Sequence, residues 1–147
     1  RSRDNSRTPM QWNGERYGGF SEAAPWLSMS ARFRKEITVE AQQKDKDSIL
    51  AFYKKLIAMR KTYPVIAEGG ISFLETGTDM VLAYQRILGE QQLVVLCNLD
   101  GKRQTIKTSG QWKDFKVLLE NYEGREMVLE EGTFTMEPYG FMVLISK

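Results

Sequence analysis

The residues best equipped for chemistry stand at the start of the chain, in Arg3-Asp4-Asn5-Ser6-Arg7-Thr8-Pro9-Met10-Gln11-Trp12. Two arginines four positions apart flank a carboxylate and are followed by an aromatic side chain. A guanidinium offers five donors in a rigid fork and stays charged at any working pH. A segment that fixes two of them could therefore clamp a polar ligand. Asp4 is suited to orient Arg3 or Arg7, and Met10-Gln11-Trp12 could pin the segment to an apolar wall. Asp4, Asn5, Ser6 and Pro9 break or cap helices, and the apolar residues keep neither a two-residue nor a helical period, so the stretch reads as a loop. From spacing alone the alternative is an idle charged connector with an aromatic foot.

Several other chemistries are excluded. The 147 residues contain no histidine, so a Ser-His-Asp triad, a Cys-His pair and a histidine zinc site are impossible. The single Cys97 lies in the apolar run 93–97 and reads as a buried thiol without chemistry. Gly18-Gly19 and Gly69-Gly70 lack the spacing of phosphate-binding loops, and no cofactor or metal is expected. Lys and Arg number 21 against 19 Asp and Glu, a net charge of +2, with the signs interspersed rather than gathered in a basic stripe. Nucleic acid is therefore not an expected partner. No apolar run approaches the ~20 residues of a membrane span, so no membrane association is expected and the cytoplasm is the expected location. Glu36 and Glu40 could share a helix face, as a solvated pair of like charges rather than a catalytic one.

The elements that must position these groups fall into three parts. Residues 1–46 are long, aperiodic and rich in Gly, Ser and charge, with Trp12, Tyr17, Phe20, Trp26 and Phe33 at irregular intervals. Loops of this length are uncommon unless they belong to a larger surface, and the aromatics are expected to dock on elements outside the chain. Residues 47–63 read as a helix: Ile49, Phe52, Tyr53, Leu56 and Ile57 share one face, Asp47 or Ser48 can cap the start, and Arg60, Lys61 and Pro64 mark the end. From residue 65 the period becomes two. Strands are expected at 71–75, 80–86, 93–99, 103–106, 115–119, 127–129, 133–136 and 139–145, separated by turn signals at 76–79, 88–90, 100–101, 109–110 and 131–132. Short strands at this spacing indicate an antiparallel β-sandwich.

The opening segment, with Gly19-Phe20 and Pro25-Trp26 after it, resembles the R-D-x-x-R-T-P-M-Q-W segment of the α-glucosidase branch of glycoside hydrolase family 13. That branch includes oligo-1,6-glucosidases, dextran glucosidases and trehalose-6-phosphate hydrolases. The resemblance continues through residues 37–42, 47–49, 53–57 and 60–61 and fades into a general pattern after Pro64. It implies that residues 1–64 are the final loop and helix of a (β/α)₈ barrel, whose active site lies at the strand-end face. Residues 65–147 would be the β-sandwich domain that follows the barrel, giving a mainly β chain overall. The rest of the barrel is then the expected partner. Consistent with a piece, the chain begins Arg-Ser rather than with Met.

By the same resemblance, Arg3 binds a hydroxyl of the terminal, non-reducing sugar of an oligosaccharide, Arg7 lies near that pocket, and Asp4 and Trp12 support them. Trp12 reads as a packed anchor, with a sugar-stacking platform as the other possibility, and Tyr17, Phe20 and Trp26 are expected to act as anchors too. The two carboxylates of a retaining glycosidase, about 5–5.5 Å apart, would come from barrel strands upstream, so the isolated chain is expected to be inactive. Residues 1–63 are expected to fold back or to self-associate, because uncovered apolar faces of this size are costly. The alternative function is a free-standing carbohydrate-binding module with Trp112, Tyr122 or Tyr139 as a stacking surface.

Overall fold

A computed structural model describes residues 2–30, 35–108, 112, 114–122, 129–130 and 132–146. Phe33, the turn at 109–110, Glu131 and residues 127–128 of the sixth expected strand lie outside the described residues. The chain divides into two compact units, Arg1–Met59 and Arg60–Lys147.

The first unit opens with a single helical turn, α1 (Ser2–Asn5), where a loop was expected. Ser6 and Arg7 close it: Ser6 Oγ donates to Arg3 O at 2.9 Å and the Arg7 amide to Asp4 O at 3.1 Å. Residues that disfavour a helix interior readily terminate a single turn. A 3₁₀ turn follows at Arg16–Gly19 and another at Lys35–Ile37. Helix α2 (Val39–Lys44) is capped by buried Thr38, whose Oγ1 accepts from the Ala41 amide at 3.2 Å. Glu36 and Glu40 therefore belong to different elements, and Glu40 pairs with Lys44 at 2.8 Å. Helix α3 (Ile49–Thr62) is shorter at each end than the expected 47–63 span. Of the two expected caps, Ser48 acts, accepting from the Ala51 amide at 3.2 Å. Gln42 ties α2 to α3 by accepting from the Leu50 amide at 3.0 Å. No residue of α3 is buried, and Ile49, at the head of its apolar row, is 72% exposed.

In the second unit Pro64 ends one helix and starts another, α4 (Val65–Glu68), because its fixed φ suits a first helical turn as well as it blocks continuation. Eight strands follow: β1 (Gly70–Phe73), β2 (Val81–Leu88), β3 (Gln91–Asn98), β4 (Gln104–Lys107), β5 (Lys116–Glu120), β6 (Leu129–Glu130), β7 (Thr133–Met136) and β8 (Phe141–Ile145). They form a five-stranded sheet in the order β1-β2-β3-β8-β5 and a three-stranded sheet in the order β4-β7-β6, with every pairing antiparallel. Gly89, at φ 58°, begins the two-residue turn between β2 and β3, a geometry that glycine adopts without strain. Leu118 is a bulge between the paired residues Val117 and Leu119.

The core lies between the sheets. Val81, Ala83, Val94, Leu96, Met142 and Leu144 of the larger sheet meet Ile106, Phe134 and Met136 of the smaller one. Each buried side chain of this size contributes roughly 1.5–3 kcal/mol. Trp112 closes the same cluster and is 5% exposed. A second cluster sits on the outer face of the larger sheet, where Val65 packs on Leu93 and Ile145 together with Tyr63, Ile66, Val95, Leu118 and Val143.

Buried Asn98 knots one end of the sandwich. Its Nδ2 donates to Lys102 O at 2.8 Å and Glu137 O at 2.7 Å, and its Oδ1 accepts from the Asp100 amide at 2.9 Å. Arg103 clasps Glu137 with two bonds of 3.0 and 2.8 Å, and that bonding raises the guanidinium pKa further. Cys97 is half-buried rather than fully buried: it faces the outer side of the sheet, like Leu93, but lies outside the cluster in which Val65 covers Leu93. Burial raises its pKa and, together with the nearby thiol, that of Tyr84.

Candidate functional site

In the opening segment the backbone is well tied and the side chains stand open. The chain doubles back so that the amides of Trp12 and Asn13 donate to Gly18 O at 2.8 and 3.1 Å. Tyr17, Gly18 and Gly19 all take positive φ (55°, 65° and 67°), which makes the reversal tight. A Cβ on Gly18 would stand 2.9 Å from the Met29 methyl, and one on Gly19 would collide with the Asn13 side chain. Gln11 and Trp12 carbonyls then accept from the amides of Val39 and Glu40, each at 2.9 Å, so the reversal is stitched to the start of α2. Those two amides are among the donors a helix N-terminus leaves free.

Of the four residues singled out in the sequence, Asp4 and Arg7 are brought together. The Arg7 guanidinium pairs with Asp4 Oδ1, and its carbon lies 5.3 Å from the centroid of the Trp26 ring in a cation–π contact. Asp4 thus orients Arg7 rather than Arg3. Arg3 is exposed, and among the described residues nothing accepts from its guanidinium. Among the described residues, then, one arginine is held and the other has no acceptor. Such a pair suits a site in which a fixed cation shapes the wall and a free one reaches for ligand hydroxyls, each charge-assisted bond contributing ~1.5–3 kcal/mol.

Trp12 is not a buried anchor within this chain. Its indole is 50% exposed, and what is anchored is its backbone. Trp26 is 81% exposed and Phe20 is open as well. The Trp26–Arg7 contact was not foreseen from the sequence. An aromatic nineteen positions from a cation carries no local spacing signal.

Of the three aromatic candidates for a stacking surface in the β half, two are engaged elsewhere and Tyr139 is exposed. Trp112 belongs to the core, and the half-buried Tyr122 donates its hydroxyl to Pro138 O at 2.8 Å. Tyr139 is exposed, with φ 53° and its hydroxyl over Gly101, where a Cβ would lie 3.1 Å away. Among the described residues no group of His, Cys, Asp or Glu could hold a metal ion, and no helix is long and apolar enough to cross a membrane.

The loop, the helix and the sandwich together define a class. Residues 1–69 match the family model of the α-amylase catalytic domain, and residues 81–143 match that of the α-amylase SusG C-terminal domain. The chain belongs to the α-amylase family of glycoside hydrolases. Its similarity lies with the glucosidase members. It is 33% identical to an oligo-1,6-glucosidase of Halalkalibacterium halodurans, over 100% of this chain and 26% of that protein. It is 36% identical to a trehalose-6-phosphate hydrolase of Bacillus subtilis, over 97% of this chain and 26% of that protein. The crystal structure of the Bacillus licheniformis trehalose-6-phosphate hydrolase superposes with a TM-score of 0.82 at 34% identity, covering 100% of this chain and 27% of that one. The chain thus spans about a quarter of the length of these relatives.

Proposed function

We propose that the chain is the C-terminal part of a cytoplasmic, exo-acting α-glucosidase that hydrolyses α-glucosidic bonds of oligosaccharides with retention. In this reading residues 1–64 complete a (β/α)₈ barrel and residues 65–147 form the sandwich domain that follows it in sequence. Arg3 grips the non-reducing sugar, and Arg7, held by Asp4, shapes the pocket beside it. Trp12 supports the segment through its backbone. The observation that carries the reading is the tandem of matches, catalytic domain and then C-terminal domain, on a chain about a quarter as long as its glucosidase relatives.

The chemistry requires two facing carboxyl groups, one of them protonated. Asp4, the acid nearest the arginines, is committed to Arg7, so the bond-breaking acids are assigned to the upstream barrel. The isolated chain should leave a chromogenic α-glucoside intact, and the open apolar row of α3 should make it self-associate. The test of the site is Arg3→Ala in the enzyme carrying its upstream sequence. The expected result is a fall in kcat/KM for an α-glucoside of roughly ten- to a hundredfold at an unchanged melting temperature. Wild-type kinetics would remove Arg3 from the site.

A further inference from the structure

The Arg7 guanidinium is constrained from two sides that are independent in sequence. Asp4, three positions earlier, accepts from Nη2 with one carboxylate oxygen. Trp26, nineteen positions later, has its ring centroid 5.3 Å from the guanidinium carbon, inside the ~6 Å reach of a cation–π contact. The Arg7 and Asp4 side chains are 40% and 57% exposed, and an exposed ion pair contributes little by itself. A single bond to one oxygen also leaves a planar group able to swivel. The negative face of an indole attracts the whole delocalised cation, so the ring limits that swivel.

Trp26 is set in turn by its neighbours. The Ala23 amide donates to Ser21 Oγ at 3.1 Å, which turns the chain, and Pro25 fixes φ at the position just before the indole. The ring is 81% exposed, so burial within this unit does not account for its place. The arrangement also leaves donors to spare. Among the described residues nothing accepts from Nε or Nη1 of Arg7. A cation held on two sides with unused donors is preorganised for a ligand, because less side-chain freedom is lost on binding.

We infer that Trp26 is a positioning residue of the saccharide site: its ring holds the Arg7 guanidinium so that the unused donors are presented to sugar hydroxyls. The inference rests on the reading of the chain as the end of an α-glucosidase. To that reading it adds a residue that touches the arginine and not the sugar.

Replacing the ring by leucine and by phenylalanine tests it, because leucine keeps apolar bulk without a π face and phenylalanine keeps the face. In the enzyme with its upstream sequence, Trp26→Leu should lower kcat/KM for an α-glucoside by roughly two- to fivefold, the size of an exposed cation–π contact. Most of the loss should lie in KM, and Trp26→Phe should restore most of it. In an Arg7→Ala background the Trp26→Leu loss should vanish. In the 147-residue chain, the ring current should hold the Arg7 side-chain proton resonances upfield, and they should move back in Trp26→Leu and stay in Trp26→Phe. Equal losses in the two variants, a Trp26→Leu variant that loses its fold, or a loss undiminished in Arg7→Ala make Trp26 an anchor or a direct sugar contact and overturn the inference. Arg7 resonances indifferent to Trp26→Leu overturn it as well. All of these leave the glucosidase reading standing. An enzyme that turns over no α-glucoside removes that reading and the role of Trp26 with it, even where the resonances show the contact.

Discussion

Residues 2–62 and the β half are built by opposite means. In the sandwich, apolar side chains from both sheets interlock, and Leu96, Ile106 and Leu144 are essentially inaccessible. In the opening segment the backbone is specified by caps, glycines and carbonyl–amide stitches, yet Trp12, Trp26 and the apolar row of α3 stay open. The contrast shows that hydrogen bonding can fix the path of a chain without supplying the packing that stabilises it. Net hydrogen-bond contributions of ~1 kcal/mol are small beside buried apolar area, so the first region draws little stability from its open rings and apolar row.

Substitutions should expose this difference, most strongly in the core. Leu96→Ala should cost about 2–5 kcal/mol by removing packed atoms and leaving a cavity. Ile49→Ala, at the 72%-exposed head of the apolar row of α3, should stay within ~0.5 kcal/mol in this chain. Denaturant midpoints measure both, and equal losses would erase the distinction. Asn98→Ala should rank next. It removes the donor that Lys102 O and Glu137 O share, Glu137 O keeping the Gly140 amide at 2.9 Å, and a loss of roughly 1–3 kcal/mol is expected.

The smallest expected effect is one of pH. Cys97 and Tyr84 both have folded pKa values raised by burial. Their neutral forms favour the native state, so the contribution is intact below the unfolded thiol pKa of about 8.5 and is lost as pH rises through the folded values. The melting temperature of the chain should fall in that alkaline range, and Cys97→Ser should flatten part of the fall. A profile unchanged by Cys97→Ser would show that the thiol carries none of it.

The strands were legible because alternation, Gly89 and the Asp100-Gly101 step are local signals. The neighbour relations were not. Nothing near residue 116 announces that β5 pairs with β8, since that contact is set by the closing of the sandwich. Short helices escaped for a different reason. Val39–Lys44 and Val65–Glu68 span less than two turns and show no full helical period, although Thr38 as a cap and Pro64 as a first-turn residue were visible signs. In the candidate site the arginines and their acid could be read from spacing. Which arginine is held could not, because the contact with Trp26 depends on how the loop turns between them.

Reading the coding DNA immediately upstream of Arg1 tests the central claim most directly. It should encode a (β/α)₈ barrel whose last strand runs into Ser2 and whose inner strands supply two carboxylates about 5–5.5 Å apart. A start codon only a few codons before Ser2 would contradict it.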